Sequence, residues 1–174
     1  MKYIACICEG GAERAILDLL LDNHKLKFER EDLIEEEVLR CRSAREFENK
    51  YLRKSYKEKI TIYRVLDSRS EKFNLSKPYA NKVDVKNVIT APEIEMLIIH
   101  SENKYKEYKN EERKNHNLKP SIYCKTKLKY KDVKSYEFVK KYFSDIQKLI
   151  NVLTTYHSKS KSFKDEMSIW DLLK

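Results

Sequence analysis

Residues 3–13 read Tyr3-Ile4-Ala5-Cys6-Ile7-Cys8-Glu9-Gly10-Gly11-Ala12-Glu13. The first six residues of this stretch are apolar and β-prone, which predicts a buried strand, and the spacing of the apolar residues that follow predicts a helix over residues 12–23. The two adjacent glycines are the only glycines in the 174-residue chain. Glycine is needed where the backbone takes a positive φ or approaches another group closely. The pair therefore predicts a special turn between strand and helix, with a carboxylate on each side.

The charge of the chain is unevenly distributed. Its net charge is +9, yet residues 1–100 carry 19 basic and 18 acidic side chains, whereas residues 101–165 carry 17 basic and 8 acidic ones. A basic second part favours a polyanionic partner, most simply nucleic acid, and the alternative is a lysine-rich surface that is merely solvated. No apolar run reaches the roughly 20 residues of a membrane span, and no signal peptide is visible, so we expect a cytoplasmic protein without membrane association.

Strands and helices alternate along the first hundred residues. Three further β-prone runs are predicted to be strands: 38–41, 60–66 and 83–90. The strongest of them ends at Asp67. A capping-box pattern at Ser43 predicts a second helix over residues 44–54. This order of elements predicts an α/β fold with a parallel sheet flanked by helices.

The rest of the chain is predicted to be helical. Helical spacing of apolar residues recurs in four segments: 93–100, 133–143, 146–156 and 169–173. Pro92 is placed to occupy the first turn of the first segment, and the Lys/Ser-rich stretch 158–165 is predicted to be a linker. We therefore divide the chain into an α/β core, residues 1–105, and a basic helical extension packed on that core, residues 106–174.

Two carboxylates are predicted to meet at one edge of the sheet. Glu9 follows the first strand and Asp67 follows a later one, and parallel sheets bind ligands at the carboxyl ends of their strands. Carboxylate oxygens suit Mg²⁺ or Mn²⁺, ions that activate water or polarise a phosphate. The turn at Gly10 and Gly11 would let backbone amides reach a phosphate near the helix N-terminus. Glu13, in the first helical turn, either joins this site or only complements the helix dipole.

The order of these features resembles the Toprim fold, which occurs in topoisomerases, primases, OLD-type nucleases and defence proteins. The stretch Cys8-Glu9-Gly10-Gly11-Ala12-Glu13 resembles the opening of the RloB-like and abortive-infection branch of that fold. In that branch, a segment after the last core strand tends to read P-x-x-E-x-x-x-x-H, and Pro92, Glu95 and His100 have this spacing here. The resemblance covers about residues 1–105.

The resemblance implies a Mg²⁺-dependent nuclease of prokaryotic antiphage defence, acting on nucleic acid such as tRNA, with an ABC-type or AAA ATPase as partner. It makes Glu9 the principal metal ligand or general base, and Asp67 a metal ligand. Glu13 is implied as a catalytic carboxylate, Glu95 as a further metal ligand, and His100 as a supporting residue. The sequence leaves open whether DNA or RNA is cut and whether the chain forms a homo-oligomer.

One position departs from the Toprim pattern. Toprim proteins commonly carry Asp-x-Asp after the third strand, whereas this chain reads Asp67-Ser68-Arg69. Three acidic residues are candidates to replace the missing acid: Glu71, Glu93 and Glu95. Arg64 and Arg69 suit a phosphate instead. If no acid replaces the missing one, the protein is a non-catalytic scaffold that binds nucleic acid or a partner ATPase.

A Lys/Tyr-rich segment lies in the basic part of the chain. Residues 119–142 contain eight lysines, with four tyrosines among them. Four lysines around Tyr130 alternate, so that an extended backbone would place them on one side: Lys125, Lys127, Lys129 and Lys131. Lysines neutralise phosphates and tyrosines stack on unpaired bases, which predicts a ridge that binds nucleic acid. The alternative is a lysine-rich helical surface whose tyrosines pack inward.

Overall fold

The computed structural model describes residues 3–91, 93–159 and 166–174. Pro92, which was predicted to begin a helix, and residues 160–165 of the predicted linker lie outside the described residues. In the described part the fold is α/β, with a parallel sheet flanked by helices, as the alternation of strands and helices predicted.

The sheet is built from neighbouring parallel strands in the order β1-β2-β3: β1 (Tyr3–Cys8), β2 (Ile60–Leu66) and β3 (Val83–Ile89). Cys8 pairs with Val65, and Leu66 pairs with Ile89, so the strands end at the same edge. The segments between the strands contain helices, which is the kind of crossover that parallel pairing requires.

The prediction of a strand over residues 38–41 is wrong. Only Leu39 pairs, in an isolated parallel bridge to Ile7. Just before it, Glu35 and Glu36 take left-handed φ values of 60° and 54°, and the next helix follows closely. The pairing with β1 consists of two hydrogen bonds, from the Leu39 amide to the Cys6 carbonyl at 2.7 Å and from the Cys8 amide to the Leu39 carbonyl at 3.1 Å.

The described residues form eight α-helices: α1 (Gly11–Asp22), α2 (Ala44–Phe47), α3 (Lys77–Ala80), α4 (Met96–Ser101), α5 (Tyr105–Lys114), α6 (Pro120–Thr126), α7 (Tyr136–Tyr142) and α8 (Ile146–Lys159). A π-helical turn, Glu48–Leu52, continues α2. Short 3-10 helices complete the described elements: Arg30–Asp32, Ile34–Glu36 and Ile169–Leu172. The predicted cap of α2 is confirmed, because the Ser43 hydroxyl accepts a hydrogen bond from the Glu46 amide at 3.2 Å. No helix among the described residues is long and apolar enough to cross a membrane.

Burial on both faces of the sheet explains the continuous apolar run of β1. Ile4, Cys6 and Cys8 face an apolar cluster formed with α1, α4, α7 and α8. Ala5 and Ile7 face a second cluster, to which α2 contributes. All five side chains are at most 4% exposed. A parallel sheet covered on both faces needs apolar residues at successive positions, not only at alternate ones.

The basic helical extension packs on the α/β core. Val139 of α7 and Leu149 of α8 belong to the same apolar cluster as α1. The amphipathic helix predicted near the C-terminus is a short 3-10 helix that buries Ile169 and Leu172, and the residue after it bridges to Leu26. The two parts of the chain therefore share an apolar cluster, and the boundary at residue 105 stays a prediction.

Candidate active site

The carboxyl ends of β1 and β2 border a cleft of about 220 Å³. Because Cys8 pairs with Val65, Glu9 and Asp67 follow their strands at the same edge of the sheet, as predicted. Six carboxylates line this cleft, which we call the acidic cleft: Glu9, Glu13, Asp67, Glu71, Glu93 and Glu95. The structure thus brings together the acidic residues that the sequence singled out. It adds two cationic side chains: Lys134, from the segment before α7, and Arg42, from the segment before α2.

The paired glycines act through close approach and not through a left-handed backbone. Neither glycine has a positive φ, and Gly10 is extended, with φ −92° and ψ 154°. A Cβ on Gly10 would overlap the Glu13 carboxylate. A Cβ on Gly11 would lie 3.0 Å from the Tyr136 nitrogen and 3.2 Å from the Lys134 carbonyl oxygen, both of them backbone atoms. Gly10 therefore leaves room for the Glu13 side chain, and Gly11 lets α1 approach the start of α7.

Two carboxylates of the acidic cleft are biased towards their protonated forms. Burial is the main cause that raises the pKa of Glu13, and the negative charges of Asp67 and Glu9 add to it. Glu95 is only 3% exposed, and its burial, helped by the charge of Glu93, raises its pKa to about 7. At neutral pH Glu95 is divided between its two protonation states, which suits a group that gives or takes a proton.

Lys134 is a residue of the acidic cleft that sequence reasoning missed. Its ammonium lies 3.2 Å from Glu93 Oε1, while Glu93 Oε2 accepts a hydrogen bond from the Ser121 amide at 2.9 Å. Burial alone would raise the pKa of Glu93, but the hydrogen bonds from Ser121 and Lys134 outweigh it and lower the pKa. Burial alone would lower the pKa of Lys134, but the charges of Glu95 and Glu93 outweigh it and raise that pKa. Glu93 is thus a charged residue that ties α6 to the cleft.

Arg64 is engaged inside the protein and does not present its guanidinium to a phosphate. It is 3% exposed, and its Nη2 lies 3.2 Å from Glu71 Oε2. The guanidinium lies 4.6 Å from the centre of the Phe73 ring, and a longer hydrogen bond of 3.4 Å reaches Asn87 Oδ1. The phosphate-binding role predicted for Arg64 is therefore corrected to a structural one, in which Arg64 holds Glu71 beside the cleft.

Arg69, two residues after Asp67, is not among the residues that line the acidic cleft. Its guanidinium forms two hydrogen bonds with Glu166, from Nε to Oε1 at 2.6 Å and from Nη2 to Oε2 at 3.1 Å. Arg69 lines a separate cavity together with His100, whose ring stacks on Tyr105. Arg69 and His100 therefore both lie outside the acidic cleft, although they were predicted to belong to the same site as its carboxylates.

The Lys/Tyr-rich segment is not an extended ridge. Helix α6 continues to Thr126, and Lys129 takes a left-handed φ of 64°, so the chain turns where the alternating lysines were expected to line up. The Tyr130 and Tyr142 hydroxyls both donate to Glu102 Oε1, at 2.9 Å and 2.5 Å. The tyrosines thus pack inward, as the alternative predicted. Four lysines stay exposed, and their contact with nucleic acid stays a prediction: Lys125, Lys127, Lys129 and Lys131.

The acidic cleft fits Mg²⁺ in its chemistry, with few protein ligands. Carboxylate oxygens are the donors that Mg²⁺ prefers, and this ion is often held by one or two carboxylates and completes its shell with water. Among the described residues, no group of three or more His, Cys, Asp or Glu side chains is arranged to hold a metal ion. A divalent ion in the cleft would therefore rely on at most two side chains. Glu9 and Asp67 follow neighbouring strands, and both line the cleft.

The carboxylates, the glycine turn and Lys134 define a polar cleft at the carboxyl edge of a parallel sheet, which is where such sheets bind ligands. Searches of protein families, of curated proteins and of solved structures found no match to the chain.

Proposed function

We propose that this protein is a Toprim-like nuclease that depends on a divalent metal ion and hydrolyses phosphodiester bonds of nucleic acid. The observation that carries the proposal is the gathering of six carboxylates at the edge where β1 and β2 end, with Glu9 and Asp67 following neighbouring strands. Like charges held together are unfavourable unless a cation offsets them. Lys134 pairs with Glu93 and Arg64 with Glu71, whereas Glu9 and Asp67 form no ion pair with any residue that the structure describes. Such a cluster of oxygen donors therefore favours a site for a divalent ion.

The side chains of the acidic cleft have distinct roles in this proposal. Glu9 and Asp67 would hold Mg²⁺ or Mn²⁺, which, when bound, polarises a phosphate oxygen and activates water. Glu13 and Glu95 would accept the proton of the attacking water or supply one to the leaving oxygen. Lys134 would offset the charge of the phosphate, since its ammonium already lies among the carboxylates of the cleft.

The resemblance to the RloB-like and abortive-infection branch extends this proposal to a biological setting. It supports a role in antiphage defence, nucleic acid such as tRNA as the substrate, and an ABC-type or AAA ATPase as the partner. These points rest on the glutamate–glycine turn and on the spacing of Pro92, Glu95 and His100, and not on the geometry of the cleft.

The test is the cleavage of nucleic acid by the purified chain in Mg²⁺ or Mn²⁺, with EDTA as the metal-free arm. Wild type, Glu9→Gln and Asp67→Asn are compared on labelled tRNA, single-stranded RNA and duplex DNA. We expect each substitution to lower the cleavage rate by at least about 100-fold, because the proposed chemistry depends on these carboxylates. Glu31→Gln, at an exposed carboxylate outside the cleft, is the matched control and should cleave like wild type. Equal cleavage by wild type and Glu9→Gln overturns the proposal.

A second candidate function is a non-catalytic scaffold that binds nucleic acid or a partner ATPase. Two observations favour it: the described residues contain no ready-made group of three metal ligands, and Arg69 pairs with Glu166 and does not line the cleft. Calorimetric titration of the chain with Mg²⁺ separates the two functions. Binding that Asp67→Asn abolishes supports the nuclease. Absence of Mg²⁺ binding to wild type, with RNA binding retained, supports the scaffold.

A further inference from the structure

A second cavity, of about 580 Å³, lies beside the acidic cleft and has the opposite charge. Four cationic side chains line this cationic cavity: Arg69, Lys109, Arg113 and Lys159. Among the described residues around it, only Glu112 is acidic. Ala91 and Met96 line the cationic cavity. Glu93 and Glu95, which lie between these two residues in the sequence, line the acidic cleft. One short segment therefore separates two sites of opposite charge.

The cations of this cavity are only partly neutralised. Lys109 pairs with Glu112, and Arg69 pairs with a carboxylate near the C-terminus. Arg113 and Lys159 form no ion pair with any residue that the structure describes. The Lys159 ammonium lies instead 5.6 Å from the centre of the Tyr105 ring. An excess of positive charge attracts anions, and a guanidinium in particular forms paired hydrogen bonds with phosphate.

Aromatic rings lie next to these cations. The ring of His100 stacks on that of Tyr105, with 4.5 Å between centroids and 18° between planes, and the Tyr156 ring lies 5.6 Å from the imidazole. Tyr105 and Tyr156 are only partly buried, so they offer ring surface to a ligand. Flat aromatic faces beside cations are the surfaces on which nucleobases stack in binding sites.

His100 keeps a buried polar atom without a partner beside these rings. The side chain is 6% exposed, and its Nε2 forms no hydrogen bond in the described part of the molecule. Burial, and then the charge of Lys159, lower the pKa of His100 to about 4, so the ring is neutral at pH 7 and Nε2 can donate or accept. A buried polar atom without a partner is unfavourable, and a ligand in the cavity would supply the partner.

We propose that the cationic cavity binds a nucleoside phosphate, either as a free nucleotide or as the end of a nucleic acid strand. The phosphate would lie against Arg113 and Lys159, and the base would lie against Tyr105, with His100 Nε2 as its hydrogen-bonding partner. The cavity has the size of pockets that enclose small ligands, about 300–1,000 Å³. Cations alone would suit any anion, and the aromatic rings are what favour a nucleotide over inorganic phosphate.

The closeness of the two sites gives the cationic cavity a place in the proposed function. Arg69 of the cavity follows Asp67 of the cleft by two residues in the chain. A strand whose end is held in the cavity would therefore have its next phosphates near the acidic cleft. This positioning rests on the proposed nuclease activity, whereas nucleotide binding itself does not.

Binding is measured by isothermal titration calorimetry in EDTA with three probes: adenosine 5′-monophosphate, a 5′-phosphorylated oligonucleotide and inorganic phosphate. We expect Arg113→Gln to weaken the binding of the nucleotide probe at least about tenfold, because it removes a charge-assisted contact to the phosphate. Arg113 is exposed, so its substitution leaves the core intact. Lys114→Gln, the next residue on α5 and outside the cavity, is the matched control and should bind like wild type. His100→Phe keeps an aromatic ring but removes Nε2, and should weaken binding several-fold.

The outcomes distinguish the sources of the nucleotide and can overturn the proposal. Tighter binding of the mononucleotide assigns a free nucleotide, and tighter binding of the oligonucleotide assigns a strand end. Three results overturn the proposal: equal weakening by Arg113→Gln and Lys114→Gln, no binding of either nucleotide probe, or binding of inorganic phosphate as tight as that of the nucleotides. Because binding is measured in EDTA and does not require cleavage, a failed nuclease assignment and a failed nucleotide site give different results.

Discussion

The acidic cleft and the cationic cavity flank the same helical segment, yet they hold opposite charges. Glu95, the N-cap of α4, lies in the cleft, and His100, five residues later in α4, lines the cavity. The pKa of Glu95 is raised to about 7, and that of His100 is lowered to about 4. Each buried group is thus pushed towards its neutral form, while the charge of each site is carried by its more exposed residues.

The difference between the two sites teaches that desolvation governs both buried groups, whatever the sign of the charge around them. For Glu95 the cation of Lys134 opposes the effect of burial, and for His100 the cation of Lys159 adds to it, yet burial is the largest cause at both. The stretch Leu97–Ile99 between them is at most 2% exposed, so α4 is packed along its length. Each group is therefore anchored by a packed helix at the border of its own cavity.

Glu95→Gln tests the acidic side of this comparison and has the largest expected effect. The folded chain binds a proton at Glu95 more tightly than the unfolded chain, because its pKa is about 7 and not the ordinary 4.5. The stability that this group contributes is fully present below about pH 4.5 and is lost as the pH rises through 7. Glu95→Gln should remove this loss and gain about 3 kcal/mol on wild type between pH 4.5 and pH 8.

The free energies of unfolding are measured by urea denaturation in EDTA from about pH 3 to about pH 8, a range that spans the folded and unfolded pKa values of both groups. Glu31→Gln, at an exposed carboxylate, is the control and should follow the wild-type pH profile. Parallel profiles for wild type and Glu95→Gln would mean that burial does not set the ionisation of Glu95, and the acidic side of the comparison would then be lost.

His100→Phe tests the cationic side, and its pH dependence has the opposite sign. The folded chain binds a proton at His100 less tightly than the unfolded chain, because the pKa is about 4 and not the ordinary 6.5. The stability that His100 contributes is present above about pH 6.5 and is lost as the pH falls through 4, by up to about 3 kcal/mol. His100→Phe should remove that loss, whereas His116→Gln, at an exposed histidine, should leave it unchanged.

The two opposite slopes overlap between about pH 4.5 and 6.5 and partly cancel in wild type. In the same urea experiment, the single variants at Glu95 and His100 should therefore bend the profile in opposite directions, and the double variant should flatten it. If both single variants changed the slope of stability against pH in the same direction, the pKa values of Glu95 and His100 would not be shifted in opposite directions, and the comparison would fail.

The parts of the fold and of the site that depend on consecutive residues could be predicted from the sequence. The strand, the glycine turn and the helix of residues 3–23 follow from apolar spacing and from the rarity of glycine. The meeting of Glu9 with Asp67 follows from the alternation of strands and helices, because parallel neighbours end at one edge. The Ser43 cap follows from a local pattern of the same kind.

The parts that failed depend on contacts between distant residues. Arg64 was expected to face a phosphate, but its burial and its contact with Asn87, 23 positions away on β3, are set by the packing of the sheet. Lys134 has no local pattern that sets it apart from the other lysines around it. It reaches Glu93, 41 positions earlier, where the absence of a side chain on Gly11 admits the backbone before α7. Neither apolar spacing nor a count of charges contains that information.

Substitutions of the glycine pair test, with a smaller expected effect, whether Gly11 holds Lys134 in the acidic cleft. Gly11→Ala places a Cβ 3.0 Å from the Tyr136 nitrogen and 3.2 Å from the Lys134 oxygen, and these backbone atoms have to move. We expect the free energy of unfolding to fall by about 1–3 kcal/mol, as in other overpacked sites. Displacing Lys134 also withdraws a cation that lowers the pKa of Glu95, so the loss of stability with rising pH should still begin near pH 4.5 but continue to a higher pH than in wild type.

Gly10→Ala is the matched control, because only the flexible end of the Glu13 side chain obstructs its Cβ. The backbone at Gly10 is extended, so alanine meets no strain there, and the stability should change by less than about 0.5 kcal/mol. Cleavage should nevertheless fall, since Glu13 has to leave its place in the cleft. Such a split would assign two functions to neighbouring glycines: Gly11 holds the segment of Lys134 against the cleft, and Gly10 keeps Glu13 inside it. Equal losses of stability in the two variants would reduce the turn to a packing contact and would remove Glu13 from the site.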